Sequence, residues 1–270
     1  MIITLSRIPV WLAQRTPRRF KLAVHRVRFL DKALMSLYGL LIKDKVMTIE
    51  EGPMRGLKLA TSQHTSHAHI KGTYEREVQD AIDSMVRAGD VCYDLGASVG
   101  YMTLLMARKA KHVYAFEPAP HAIAEMRRHI AANGIQNVTI VPSPVSDRVR
   151  DVRFCLTDAA YGSGINETET RWPVLQLKTT TLDLFAKDHP VPDFLKMDIE
   201  GEEGAAFDGA HEMLAHRKTS ICCEVHNREA ARSVIGTLER FGYHLTLLDG
   251  SPAKVPDEVA AGEFHILARP

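Results

Sequence analysis

The chain has 270 residues, 45% apolar and 25% charged, enough for one large globular α/β domain with a modest extension. It lacks any run of about 18 apolar residues, which excludes a membrane-spanning helix. The formal net charge of +1 hides an asymmetry: residues 1–45 carry ten Lys or Arg against Asp31 and Asp44, giving +8, and the other 225 residues carry −7. A basic arm on a mildly acidic body points to an anionic partner or surface.

In chain order, the first thirteen residues hold a short apolar run broken by Arg7 and Pro9, with basic residues after the run rather than before it. That order speaks against a cleaved signal. From Phe20 to Ile42 apolar residues recur at three and four (Leu22, Val27, Leu30, Leu34, Leu37, Leu41) with basic residues between them, which predicts an amphipathic helix. Such a helix either packs on its own domain or makes peripheral contact with an anionic membrane. Residues 46–49 and 57–60 flank a turn-rich stretch and predict a hairpin. His64, His67 and His69 fall in what reads as a loop, solvated or facing substrate; it offers no Cys, Asp or Glu as a further metal ligand. A helix is expected from Tyr74 to Val86.

After Gly89 short apolar runs alternate with helical ones. Strands are predicted at 91–95, 112–116, 138–141, 194–199 and 221–225, and helices at 101–108, 121–132, 202–215 and 228–241. Alternation of this kind implies a parallel, doubly wound sheet with ligands at the carboxyl ends of its strands. Two last strands, 243–248 and 264–268, have only a loop between them and should pair antiparallel. Residues 152–184 break the rhythm around Tyr161-Gly162-Ser163-Gly164 and read as an insertion bordering the site. The organisation expected is a basic extension over 1–45 and one domain over 46–270, with the insertion at about 150–185. Cys92, Cys155, Cys222 and Cys223 show no ligand spacing and read as buried thiols of a reducing, cytoplasmic compartment; the adjacent pair should face opposite sides of its strand.

The chemistry concentrates at strand ends. Asp94-Leu95-Gly96-Ala97-Ser98-Val99-Gly100 joins the first of these strands to its helix, where glycines let a ligand approach the backbone and the helix start offers free N–H groups. A carboxylate at Asp94 would repel the pyrophosphate of a dinucleotide but suits a cationic amino-acid moiety, as in S-adenosylmethionine. Glu117 follows at the end of the next strand, 23 residues on, where a carboxylate can accept both hydroxyls of a ribose. Each of these acids is expected to pair with the ligand rather than with the core. In Phe194-Leu195-Lys196-Met197-Asp198-Ile199-Glu200-Gly201, strand alternation puts Lys196, Asp198 and Glu200 on one face; Glu224 and His226 share a face of the following strand. Charges on a central strand are costly unless paired or used.

These segments, with Gly209-Ala210 and Glu224-Val225-His226, resemble the successive motifs of the FkbM methyltransferase family, from about Gly72-Thr73-Tyr74-Glu75 to Glu224. The resemblance implies the Rossmann-like class I methyltransferase fold, a mostly parallel α/β sheet with an antiparallel C-terminal strand pair. It also implies O-methyl transfer from S-adenosylmethionine, commonly to a hydroxyl of a sugar or polyketide. Cofactor contacts are then expected from Glu75, Asp94, Gly96, Ser98, Gly100, Glu117 and Ser143. Ser98 stands where the family usually has Asn, and Pro144 where a small Ala is usual.

Methyl transfer to oxygen requires an aligned acceptor and a route for its proton. Asp198 is the first candidate base and His226 the second; Glu200 and Glu224 orient them and Lys196 fixes Asp198. No metal is assigned, although a divalent ion held by Asp198, Glu224 and His226 would be chemically sensible because it lowers the hydroxyl pKa. The expected partner is a small-molecule or glycan acceptor. A nicotinamide-dependent oxidoreductase is opposed by the missing Gly-x-Gly-x-x-Gly. Two rival functions are a non-catalytic scaffold and a nucleic-acid methyltransferase, the latter opposed by the acidic body and kept alive by the basic arm.

Overall fold

The computed structural model describes residues 45–62, 65–157, 163–166, 168, 170–254 and 264–270. The helix expected at 20–42, His64, and Tyr161-Gly162 lie outside them. The chain divides into two compact units, Met1–Lys45 with Thr61–Ser66, and Val46–Ala60 with His67–Pro270. In the first, the Thr61 hydroxyl donates to the Lys45 carbonyl (2.9 Å) and the Ser62 N–H donates to Thr65 Oγ1 (2.9 Å).

The second unit opens with an antiparallel hairpin, β1 (Val46–Thr48) and β2 (Lys58–Ala60), followed by α1 (His67–Lys71) and α2 (Arg76–Met85). Then comes the alternating part: β3 (Val91–Leu95), α3 (Tyr101–Ala107), β4 (His112–Phe116), α4 (Pro120–Asn133) and β5 (Val138–Val141). A separate three-stranded antiparallel sheet holds β6 (Asp151–Cys155), β7 (Gly164–Ile165) and β8 (Val174–Lys178) in the order β7-β6-β8. The chain continues through α5 (Leu182–Ala186), β9 (Phe194–Met197), α6 (Glu203–Asp208), α7 (His211–Ala215), β10 (Ser220–Val225), α8 (Arg228–Arg240), β11 (His244–Leu247) and β12 (Phe264–Arg269).

Seven strands form the main sheet in the order β11-β12-β10-β9-β3-β4-β5. The pairs from β10 to β5 are all parallel, and β12, inserted between β10 and β11, runs antiparallel to both. A parallel sheet covered on both faces needs apolar residues on both sides of each strand. β3 is accordingly buried at all five positions. Alternate residues feed two cores: Tyr93, Leu95, Leu195 and Cys223 belong to one, Cys92, Phe194 and Cys222 to the other. The adjacent cysteines thus face opposite sides, and all four thiols are free and buried. Among the described residues no helix is long and apolar enough to cross a membrane.

Helix ends follow local chemistry. Pro120 starts α4 and Gly134, in the left-handed region, stops it; the Asn227 side chain accepts from Ala230 N to start α8.

Four expectations are corrected. The single helix expected over 202–215 is two, with the break at Gly209-Ala210, where the missing side chain of Gly209 lets the Ser146 carbonyl pack close. The Asp183 carboxylate then takes the N–H groups of Glu212 and Met213 at the start of α7. The strand expected to reach Ile199 ends at Met197; Glu200 has a positive φ of 57° and leaves the strand face it was expected to share with Lys196 and Asp198. The histidine loop is in part a helix: His69 sits in α1, 5% exposed and stacked on Tyr74 at 4.2 Å. Burial, followed by the charge on His129, drives its pKa down to about 4, so His69 is a neutral packing residue.

Candidate active site

Chain order places β4 and β5 on one side of β3 and β9 and β10 on the other. The reversal between β3 and β9 opens a crevice at their carboxyl ends, where α/β sheets bind ligands. Asp94 and Lys196 are register partners across this boundary.

Asp94 is fully buried. Its Oδ2 accepts the Thr103 hydroxyl at 2.5 Å, its Oδ1 lies 3.9 Å from Lys196 Nζ, and that Oδ1 has no hydrogen-bond partner. Burial raises the Asp94 pKa against the pull of Lys196 and the Thr103 hydrogen bond. Beyond it the Gly96 and Ala97 N–H groups both donate to the Phe116 carbonyl at 3.0 Å. Gly96 (φ +71°) lies so close to Asp198 that a Cβ would overlap the Asp198 carbonyl oxygen. Ser98 has φ 50°, a left-handed conformation that Asn adopts more readily than Ser, which accounts for the Asn usual in the family.

Glu117 closes the far side. Its Oε2 accepts Ser98 N–H at 2.8 Å and its Oε1 accepts Ala119 N–H at 2.7 Å. Burial, partly offset by those two N–H groups, pushes its pKa up to about 7. Asp94 and Glu117 therefore have partners within the protein, which corrects the expectation that they serve the ligand alone. Gly96, Glu117, Ser143, Phe154, Gly164 and Asp198 line a pocket here, so the small sheet β6-β7-β8 borders the cleft. Ser143 Oγ donates to the carbonyls of Lys178 (3.0 Å) and Pro144 (3.2 Å). Gly100 caps α3 with φ +83°, and a Cβ there would press on Met126.

A second cluster adjoins the pocket. Lys196 Nζ donates to Asp198 Oδ2 at 3.1 Å and to the Gly96 carbonyl at 3.3 Å. Burial opposes the charge on Lys196, but Asp198, Asp94 and Glu75 outweigh it and hold its pKa above the usual range. Burial likewise opposes the charge on Asp198, and Lys196 with His226 reverses it and lowers the Asp198 pKa. His226 Nδ1 meets Glu203 Oε1 at 2.8 Å; its Nε2 faces Asp198 Oδ1 at 3.5 Å and Glu200 Oε2 at 3.8 Å. Despite burial, Glu203, Asp198 and Glu200 raise the His226 pKa to about 9. Glu75, with φ 44° before α2, has its pKa raised by burial and interacts with Lys196, Asp198 and Glu224. It thus belongs electrostatically to this cluster. Glu224 is the register partner of His265 on β12, and their side chains meet at 3.3 Å.

Two members were not singled out as site residues, although Glu203 closes the family-like segment that begins at Leu195. Glu203 is fully buried and accepts the N–H groups of Ile199 (3.3 Å) and Gly201 (2.9 Å) as well as His226; its place in the first turn of a helix was the available signal. His265 has no local signal at all, because only strand register brings it to Glu224.

This strand order, with an acid and a glycine turn at the end of its first parallel strand and a second acid at the end of the next, defines a class I S-adenosylmethionine-dependent methyltransferase. The family model of the methyltransferase FkbM domain matches residues 94–245. The chain belongs to the FkbM methyltransferase family, and its cofactor is S-adenosylmethionine. An uncharacterized protein of Methanocaldococcus jannaschii is 33% identical over 92 residues, covering 33% of this chain and 36% of that protein. A tRNA wybutosine-synthesizing protein 2 homolog of Danio rerio is 28% identical over 172 residues, covering 55% and 42%. The chain thus spans less than half the length of these curated relatives. Among solved structures, a precorrin-6y C5,15-methyltransferase of Geobacter metallireducens aligns with TM-score 0.47 and 15% identity over 72% of this chain and 89% of that one. The methyltransferase FkbM of Methylobacillus flagellatus aligns with TM-score 0.47 and 14% identity over 76% and 55%.

The residues fit the cofactor. Asp94 Oδ1 is a buried acceptor with no hydrogen-bond partner, 3.9 Å from Lys196 Nζ, and suited to a cationic amino group; it adjoins Leu95 and Gly96, which line the pocket together with Glu117, whose carboxylate has lone pairs to spare for hydroxyls. An ionised Glu117 is the better acceptor. With its pKa at about 7, affinity for S-adenosylmethionine should fall roughly tenfold between pH 8 and pH 6 as the carboxylate protonates. Calorimetry at the two pH values checks this; Glu117→Gln should remove the dependence.

Proposed function

We propose that this chain transfers a methyl group from S-adenosylmethionine to a hydroxyl oxygen of a sugar, glycolipid or other secondary metabolite. The observation that carries the reading is the Lys196–Asp198–His226–Glu203 chain at the rim of the cofactor pocket, which presents a carboxylate and an imidazole to an acceptor. Bound S-adenosylmethionine supplies an electrophilic methyl group and departs as the thioether.

The protein positions the acceptor and takes its proton. Asp198 Oδ2 is held by Lys196, so Oδ1 is the oxygen that accepts the hydroxyl hydrogen bond. A carboxylate of lowered pKa cannot strip a proton from a free alcohol. It takes the proton as the new C–O bond forms, when the hydroxyl has become a strong acid. His226, held protonated by Glu203, acts as a donor that orients the acceptor, and Glu200 and Glu224 shape the charge around it. Lys196 keeps Asp198 ionised.

Transfer to RNA is a second reading, favoured by the similarity to a tRNA wybutosine-synthesizing protein and by the basic arm. Purified protein incubated with labelled S-adenosylmethionine and with polysaccharide, lipid and nucleic-acid fractions separates the two. Label in an alkali-stable methyl ether of the glycan or lipid fraction is expected; label confined to RNA overturns the proposal.

We further propose that residues 1–45 attach the protein peripherally to anionic membrane. Removing them should abolish sedimentation with anionic vesicles and spare cofactor affinity. Attachment should weaken between low and physiological salt, where screening acts over roughly 8 to 10 Å or more; sedimentation indifferent to salt would contradict it.

A further inference from the structure

The geometry points to a divalent-cation site formed by Asp198, Glu224 and His226, an inference that deepens the acceptor-site reading above by naming what would hold the acceptor oxygen. The three side chains each offer one ligand atom, and these atoms lie within 4.8 Å of one another. Two ligand atoms at about 2.1 Å from a common ion are at most about 4.2 Å apart, so small rotamer changes close the site.

Charge and orientation support it independently. Glu75, Asp94, Asp198, Glu200, Glu203 and Glu224 converge around Lys196 and His226, leaving anionic charge for a cation to balance. One oxygen of each ligand carboxylate is already fixed: Asp198 Oδ2 by Lys196 (3.1 Å) and Glu224 Oε2 by His265 (3.3 Å). The imidazole is fixed too. Its Nδ1 is anchored on the buried Glu203 at 2.8 Å, which turns Nε2 toward Asp198 Oδ1 at 3.5 Å. A histidine held through one nitrogen by a carboxylate, with the other presented to further ligands, is the arrangement that orients metal-binding imidazoles. An ion on Nε2 takes the place of the proton there.

One imidazole with two carboxylates suits Mn²⁺ and its first-row neighbours better than Ca²⁺. Three protein ligands leave positions open, as in catalytic rather than structural sites, and an acceptor hydroxyl bound in one of them becomes a stronger acid. With the ion bound, Asp198 and His226 serve as its ligands, and the proton passes to the Glu200 carboxylate, 3.8 Å from His226 Nε2, in place of Asp198, while the oxygen keeps the electron pair that forms the C–O bond.

The test is Mn²⁺ titration of the full-length protein, without cofactor, followed by electron paramagnetic resonance. One saturable site per chain is expected, weakened at least tenfold in Glu224→Gln and about 10-fold to 100-fold in Glu203→Gln, which keeps all three ligands but loses the anchor of His226. Glu224 lies at a partly exposed position, and retained S-adenosylmethionine affinity in Glu224→Gln reports that this variant is folded. Absence of a saturable site in the wild type, or equal affinity in wild type and Glu224→Gln, overturns the inference. Methyl transfer that persists in chelator from a protein with no Mn²⁺ site removes the ion and leaves the O-methyl reading; an Mn²⁺ site in a protein that methylates only RNA does the reverse.

Discussion

Asp198→Asn is expected to lower methyl-transfer turnover by roughly 10²-fold or more while changing S-adenosylmethionine affinity little. Asn keeps the shape and one neutral oxygen but can neither take a proton nor carry the charge that Lys196 and His226 face. A structural role for the pair gives the opposite pattern. Lys196 is 6% exposed, and stripping a buried cation of its partner costs about 3 to 5 kcal/mol. Asp94, 3.9 Å away on the neighbouring strand, still balances part of that charge in the variant, so the loss of stability should stay below that range. Melting temperature and single-turnover rate measured on one sample separate the roles. A variant that melts early and turns over normally would refute the catalytic role of Asp198.

Gly96→Ala should be the most damaging single change in the cofactor turn. Its φ of +71° is strained for any side chain, and the added Cβ would overlap the Asp198 carbonyl oxygen, which belongs to backbone and cannot rotate away. The chain must move β3's end away from Asp198, at a cost of about 3 kcal/mol or more. It must also displace the Gly96 and Ala97 N–H groups from Phe116 and the Gly96 carbonyl from Lys196. Both a lower melting temperature and at least a 100-fold loss of cofactor affinity are expected. Gly236→Ala, inside α8 where a Cβ meets nothing within 4 Å, is the control and should leave cofactor affinity unchanged and raise the melting temperature slightly, since Ala favours a helix over Gly by about 0.5 to 1 kcal/mol. Wild-type affinity in Gly96→Ala would mean that the turn is not part of the cofactor site.

The sequence determined the elements and the chemistry at their ends. The strands at 91–95, 112–116 and 138–141 fall where periodicity puts them; the clearest is 91–95, buried at every position, because a strand buried on both faces must be a short, nearly continuous apolar run between polar turns. Asp94, Gly96 and Glu117 were legible for the same reason: an acid or a glycine at the edge of such a run is an exception to the pattern that burial imposes. Tertiary structure decided which of these exceptions meet. Lys196 joins Asp94 through the register of β9 on β3, and His265 reaches Glu224 because β12 inserts between β10 and β11. Glu203 becomes the anchor of His226 once α6 docks against the end of β10. Long-range pairing of this kind leaves no periodic trace, since register and strand order depend on contacts between residues 23 to 102 apart in the chain. The close packing at the break between the two helices of 202–215 is likewise tertiary, since the Ser146 carbonyl stands where a side chain on residue 209 would be.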